Sequence, residues 1–170
     1  LTVPAVGAGT ANSEFEVMSG MSVKFFGPGE YPYKSVLTEK TCETIAYDLK
    51  SIGYSAHAIH NHRGAFYNRN IVFANLGYDT FTCLEYMNNA VKTPKNWAKD
   101  RVLIRYITDA LNSTENEDLI FTISVQGHGK YPTEQVIMDP DITVTAETEE
   151  LKWQWEYYVN QVHEMDNFLK

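Results

Sequence analysis

The chain has 170 residues, 44% of them hydrophobic, 13% aromatic and 21% charged, with a formal net charge of −8 and a pI near 5.1. That composition suits one globular domain with a sizeable core and excludes a disordered chain. An acidic balance without a long basic run argues against nucleic acid as a partner, and no apolar stretch is long enough to span a membrane.

From Thr10, "ANSEFEVMSGMS" spaces Phe15, Val17, Met18 and Met21 for a short helix interrupted at Gly20. "FFGPGEYPYKS" reads as a Gly/Pro-rich loop. In "TCETIAYDLKSIG", Ile45, Ala46, Leu49 and Ile52 mark one helical face, with Gly53 in the C-terminal cap position. Residues 54–60 then alternate weakly and read as a strand, which makes a helix–glycine–strand unit of an α/β protein. A second helix is expected at roughly 69–76. Another is expected in "KDRVLIRYITDALNS", with Val102, Leu103, Tyr106, Ile107, Ala110 and Leu111 facing inward. The continuous apolar run 119–125 predicts a strand covered on both faces, ending at the glycine-punctuated "QGHGKYP". A long final helix follows, with acidic residues at its start and an apolar stripe of Leu151, Trp155, Tyr158, Val159, Val162, Met165 and Leu169.

The expected architecture is a single α/β domain over 1–170, a three-layer sandwich with a mostly parallel central sheet. Two strands are too few for a complete sheet. With Leu1 rather than Met at the start, the chain reads as an internal piece of a longer protein, incomplete at both ends. Cys42 and Cys83 lack the spacing of a zinc site and are expected to be free and partly buried.

Ligands of open α/β sheets bind beyond the carboxyl ends of the strands. The first strand runs out at His60, followed by Asn61, His62, Arg63, Tyr67, Asn68 and Arg69; the second runs out at Gln126, Gly127 and His128. Thr10, after two glycines and before a helix, is a third candidate. Arg69 offers a planar fork of donors for a phosphate or sulfate, histidines donate to oxyanions or sugar hydroxyls, and a threonine hydroxyl needs activation to act as a nucleophile. Each has a plainer reading. Thr10 on residue type alone is more often a helix cap. Arg69 can pair with Asp79 or Glu85, and His128 can simply pack in a turn. His57, His163, Trp153 and Trp155 read as structural.

The segments "GAGTANSEFEVMSG", "GYSAHAIHNHRGAFYNRNIVFANLGYDTF", "TISVQGHGKY" and "YYVNQVHEMDNFL", in that order, resemble lipoteichoic acid synthase-type proteins, in the sulfatase branch of the alkaline phosphatase superfamily. The resemblance implies an α/β catalytic domain on the extracytoplasmic face of a bacterial membrane, anchored through a segment outside this chain. It also implies a divalent metal, manganese or magnesium, and a threonine that ligates it and attacks phosphorus. The substrate is then the phosphoglycerol head group of phosphatidylglycerol, and the unit passes to a growing polyglycerolphosphate chain. Thr10 falls on that threonine; His60, His62, Tyr67, Arg69 and His128 fall on the substrate-contacting positions.

Two positions depart from the synthase pattern, His62 for an aspartate and Tyr67 for a tryptophan. They leave open a related phosphoglycerol or phosphoethanolamine transferase, another ester hydrolase of the branch, or a binding module that kept the fold. The Cys/Ser-x-Pro/Ala-x-Arg pattern of true sulfatases is absent around Thr10. The family's other metal ligands, a glutamate before the threonine and an aspartate–histidine pair after the last helix, have no counterpart here. The chain alone is therefore expected to bind metal weakly, to be inactive, and to self-associate through exposed sheet edges.

Overall fold

The structure, a computed structural model, describes residues 9–170. Helix α1 spans Thr10–Ser19 and buries Ala11, Glu14, Phe15 and Met18, one stripe at helical spacing. It ends at Gly20, in the left-handed conformation, whose amide closes on the Glu16 carbonyl at 3.0 Å. Part of the predicted loop is helical instead: Pro32–Ser35 forms the single turn α2, with proline at a position whose amide needs no partner.

Helix α3 spans Ile45–Lys50, but its expected face is rotated. Ala46 is buried, whereas Ile45 and Ile52 are 46% and 71% exposed. The cause lies at its start, where the buried Thr44 hydroxyl donates to the Leu76 carbonyl at 2.6 Å and pins the helix to a neighbouring element instead of capping it.

Strand β1 covers Ser55–His60 and is buried along its whole length. Helix α4 follows at Arg69–Asn75, close to the expected span. A short strand β2 at Thr80–Cys83 was not expected; four residues are too few for alternation to stand out. Helix α5 covers Arg101–Leu111 and strand β3 covers Asp118–Ile123. The three strands form a parallel sheet in the order β2–β1–β3, with His60 opposite Cys83 on one side and Ile123 on the other. Among the described residues β3 is an edge strand of this sheet; it is half-buried, not covered on both faces.

Alternation along β1 divides the core. Ala56 and Ala58 face α1 and α4, in a cluster with Phe15, Met18, Val72 and Phe73. Ile59 faces α5, with Leu103, Val102, Tyr106, Ile107 and Ala110. Leu111, expected to face inward, is 52% exposed at the helix end. Helices on both faces of a parallel sheet make the three-layer α/β arrangement. His57 fits its structural reading: its ring ties the sheet edges together, 2.8 Å from the Thr80 hydroxyl and 3.1 Å from the Asp118 carboxylate.

Helix α6 spans Glu149–Leu169, and Thr148 caps it by accepting the Leu151 amide. Its buried face is not the apolar stripe. Glu156, Tyr157, Asn160 and Gln161 are buried, while Trp155 and Leu169 are 55% and 78% exposed. The polar face wins because it has dedicated partners. Asn160 grips both backbone groups of Ile142, Glu156 accepts the Val144 amide, and Gln161 accepts from Gln126. Leaving those groups unpaired in the interior would cost more than exposing apolar side chains. No helix among the described residues is long and apolar enough to cross a membrane, and both cysteines are free thiols.

Candidate functional site

Thr10 is the first residue of α1 and is exposed; the cap is Gly9, with no side-chain capping bond. The threonine is therefore not the N-cap that residue type suggests. Its hydroxyl has no protein partner among the described residues. Gly9 sits at φ 86°, and a Cβ there would lie 2.7 Å from the Tyr31 ring. Only glycine satisfies both the backbone angle and the contact. Gly9→Ala is expected to cost about 1–3 kcal/mol and to displace Thr10, seen as a lower melting temperature and a shifted threonine methyl resonance.

One helical turn on from Thr10 is Glu14, on the same face of α1. Its carboxylate is gripped by the Arg69 guanidinium through two bonds, Nε to Oε2 at 3.0 Å and Nη2 to Oε1. Both side chains are almost fully buried, at 2% and 7% exposure. A third donor of Arg69 reaches the Phe66 carbonyl at 3.2 Å. The planar fork expected to meet a phosphate thus closes on a carboxylate, and Arg69 pairs with neither Asp79 nor Glu85. Asp79 pairs with Lys50, and Glu85 accepts the Gly64 amide. The pair locks α1 to the start of α4 and so fixes the direction in which Thr10 points.

Arg69 is preceded by two consecutive residues in the left-handed region, Tyr67 at φ 58° and Asn68 at φ 57°. Side chains pay for that conformation with strain of about 1–3 kcal/mol each, which persists only where the surroundings hold it. Here the Asn70 amide bonds back to Gly64 and Tyr67 lies 5.3 Å from the Arg69 guanidinium and 5.4 Å from Tyr31. The turn sets Tyr67 beside the Gly9–Thr10 backbone through Tyr31.

At the end of β1, His60 is buried and its Nδ1 donates to the Ile123 carbonyl at 2.8 Å. Burial, reinforced by the nearby Arg69 charge, lowers its pKa to about 3. The ring is therefore neutral, with Nε2 left as an acceptor. His62 is half-buried, and its pKa is lowered by burial first and then by Arg69 and His128. His62 lies 5.8 Å from His60, 5.1 Å from Phe66 and 5.5 Å from Trp97, and Trp97 lies 4.6 Å from His128. The predicted residues of the two strand ends are thus gathered into one cluster, with Trp97 as the link.

His60 also makes stability depend on pH. The unfolded ring takes a proton below about 6.5, whereas the folded ring does so only near 3. Between these values the unfolded chain binds more protons, so stability falls as pH falls through that window, by up to several kcal/mol in all. His60→Gln should flatten the acid limb of urea unfolding midpoints between pH 6.5 and 3.5. An unchanged limb would show that His60 charges freely in the folded state.

Sequence reasoning missed Trp97 and the buried polar layer beneath it. The Trp97 carbonyl accepts the Thr93 amide and the Trp97 amide donates to the Thr93 hydroxyl, in a tight turn whose Asn96 has φ 69°. Below it, Asp100 is 1% exposed and accepts from Asn61 at 2.8 Å and from the Ser124 hydroxyl at 2.7 Å. Asn61 also accepts the Val125 amide, and Gln126 accepts the Asp100 amide while donating to Gln161 and Glu164. Burial raises the Asp100 pKa against the pull of the Ser124 and Asn61 bonds. This layer joins the ends of β1 and β3 to α5 and α6, and holds the loops that carry His62 and His128. Asn61 directly after β1 and Gln126 in the glycine-punctuated segment beyond β3 were its visible signals.

For a metal the donor set is thin. Among the described residues, no three or more His, Cys, Asp or Glu side chains are grouped to hold an ion. Glu14, the carboxylate nearest to Thr10 along α1, is committed to Arg69. The described residues do not by themselves fit a metal centre.

The sulfatase family pattern matches residues 2–170. The chain belongs to the sulfatase family. A curated relative, a putative cyclic beta-1,2-glucan modification protein of Rhizobium meliloti (strain 1021), is 33% identical over 128 residues, covering 75% of this chain and 20% of the relative. Among solved structures, the lipoteichoic acid synthase LtaP of Listeria monocytogenes superposes with a TM-score of 0.77 at 18% identity, covering 98% of this chain and 40% of that one. The Streptococcus pyogenes phosphoglycerol transferase GacH, solved with sn-glycerol-1-phosphate, gives 0.76 at 21% identity, covering 99% and 46%. A Vibrio parahaemolyticus protein of the alkaline phosphatase superfamily gives 0.65 at 15% identity, over 94% and 38%. The fold of this sulfatase-family chain is therefore that of the alkaline phosphatase superfamily, and the chain spans a fifth to under half of these proteins' lengths.

Proposed function

We propose that the protein carrying this chain transfers a phosphoglycerol unit from a phosphatidylglycerol-type lipid head group to an acceptor hydroxyl, through a covalent intermediate on Thr10. The observation that carries this reading is Thr10 itself: an exposed, uncapped hydroxyl at a helix start, on a helix clamped by the buried Glu14–Arg69 pair. The helix N-terminus favours the negative charge of an attacked phosphodiester. Thr10 Oγ forms a bond to phosphorus, the bond to the diacylglycerol oxygen breaks, and the threonine proton ends on the departing alcohol. His128, exposed in the loop after β3, relays that proton. His60 presents a neutral acceptor Nε2 to a glycerol hydroxyl, with His62 and Tyr67 on the same head-group wall. Arg69, committed to Glu14, serves by holding α1 and so fixing the direction of Thr10.

A divalent metal, manganese or magnesium, belongs to this reading, with Thr10 as the ligand contributed by these residues. The chain by itself is expected to be inactive. The full protein acts at the extracytoplasmic face of a membrane on anionic lipid head groups or a glycerophosphate polymer. The outer edges of β2 and β3, unpaired among the described residues, are candidate places for self-association by strand pairing. A second acceptor is favoured by the Rhizobium relative, whose name describes modification of a glucan, and by His62 and Tyr67 at the positions that depart from the synthase pattern.

The test is to incubate the full-length protein with phosphatidylglycerol labelled in its head-group glycerol. Release of diacylglycerol with transfer of label to an acceptor is expected. Hydrolysis of sulfate esters with no diacylglycerol release would assign the protein to another branch of the family.

A further inference from the structure

A line of aromatic rings, edge-to-face on either side of Phe66, runs from the Thr10 end of the site across both strand ends. Tyr31, against Gly9, lies 5.4 Å from Tyr67, and Tyr67 lies 4.7 Å from Phe66. Phe66 lies 5.1 Å from His62, His62 5.5 Å from Trp97, and Trp97 4.6 Å from His128. The head-group chemistry above uses His62, Tyr67 and His128 but not Tyr31, Phe66 or Trp97. Phe66 is 50% exposed, on a turn it shares with the half-buried Tyr67 and Asn68. Its carbonyl accepts from Arg69, which ties the backbone of this turn to α4.

We propose that Phe66 and Trp97, with Tyr31 at the far end, form a stacking platform for a glucose ring of a β-linked glucan, the acceptor of the transferred unit. The proposal rests on the reading of Thr10 as the reacting hydroxyl. A pyranose has an apolar face of C–H groups and a periphery of hydroxyls, so it is held by ring faces interspersed with polar atoms. The wall has that character. Its aromatic faces alternate with the imidazoles of His62 and His128, and the Lys34 ammonium stands 5.0 Å from both the Tyr31 and Tyr67 ring centres. An acyl chain would call for an uninterrupted apolar lining. The glucan named for the Rhizobium relative is a ligand of this class. In the transfer step a sugar hydroxyl forms the new bond to phosphorus, the bond from phosphorus to Thr10 Oγ breaks, and the hydroxyl proton returns to the threonine oxygen.

Calorimetric titration of the full-length protein with a β-1,2-linked glucose tetrasaccharide tests this without turnover. Saturable binding is expected, weakened about tenfold or more by Phe66→Ala and also by Phe66→Leu, which keeps apolar volume but removes the ring. Binding should persist in Thr10→Ala, which separates the platform from the nucleophile, and in Trp155→Phe, an exposed tryptophan on α6. Each variant is first checked for a wild-type melting profile. Absence of saturable binding by the wild-type protein, or wild-type affinity retained by either Phe66 variant, would overturn the proposal. So would binding of dihexanoyl phosphatidylglycerol that depends on Phe66 where the tetrasaccharide does not bind.

Discussion

Arg69→Ala is expected to destabilise the protein by about 3–5 kcal/mol, because it leaves the Glu14 carboxylate buried at 7% exposure without its partner. Melting temperature should fall by about 10 °C or more. Activity should fall with it, since α1 loses the contact that orients Thr10. Desolvation decides the size of the effect. The pair's attraction only offsets the cost of burying both charges, so removing one partner exposes the whole cost of the other. Replacing both partners, Glu14→Leu with Arg69→Met, should therefore recover most of the stability while activity stays lost. Thermal melts and urea unfolding of the single and double variants check this. An Arg69→Ala protein as stable as wild type would mean that the carboxylate is solvated or protonated at little cost, and that α1 is held by other contacts.

Thr10→Ala is the second large effect. Removing the oxygen that bonds to phosphorus should reduce transfer in the full-length protein by at least about 1,000-fold, with no more than about 0.5 kcal/mol change in stability. Stability should be spared because Thr10 is exposed and is not the N-cap of α1, a place taken by Gly9. Thr10→Ser should retain measurable transfer, as it keeps the hydroxyl. A Thr10→Ala protein that still transfers at near wild-type rate would remove the threonine from the chemistry and leave it a helix-start residue.

Much of the fold was legible where pattern and packing agree. The turn Ser51–Gly53 between α3 and β1, the apolar run of β3 and the periodic α5 are all local signals that tertiary contacts reinforce. The misreadings share one cause, polar side chains with specific partners. Thr44 donating to Leu76 rotates α3, and Glu156, Asn160 and Gln161 turn α6 so that its apolar stripe faces outward. Hydrophobic periodicity cannot register such a preference, since it depends on groups distant in sequence. β2 was missed for its length alone.

The site divides in the same way. Residues after strand ends were findable from topology: His60, His62 and His128 do gather at the carboxyl edge of the sheet, linked through Trp97. The partner of Arg69 was not. Glu14 and Arg69 are 55 positions apart, and the sequence offered Asp79 and Glu85 as nearer acids. The pairing is decided by which carboxylate the α1–α4 packing brings into the fork, which is a property of the assembled layer.

The central claim is that Thr10 takes up the phosphoryl group. Full-length protein mixed with phosphatidylglycerol, quenched in acid within the first turnovers and digested, is read by peptide mass spectrometry. The account predicts a peptide containing Thr10 that carries one added glycerophosphoryl unit on that residue, absent from the Thr10→Ala protein. Turnover with that peptide unmodified throughout, or with the unit on any other residue, would contradict it.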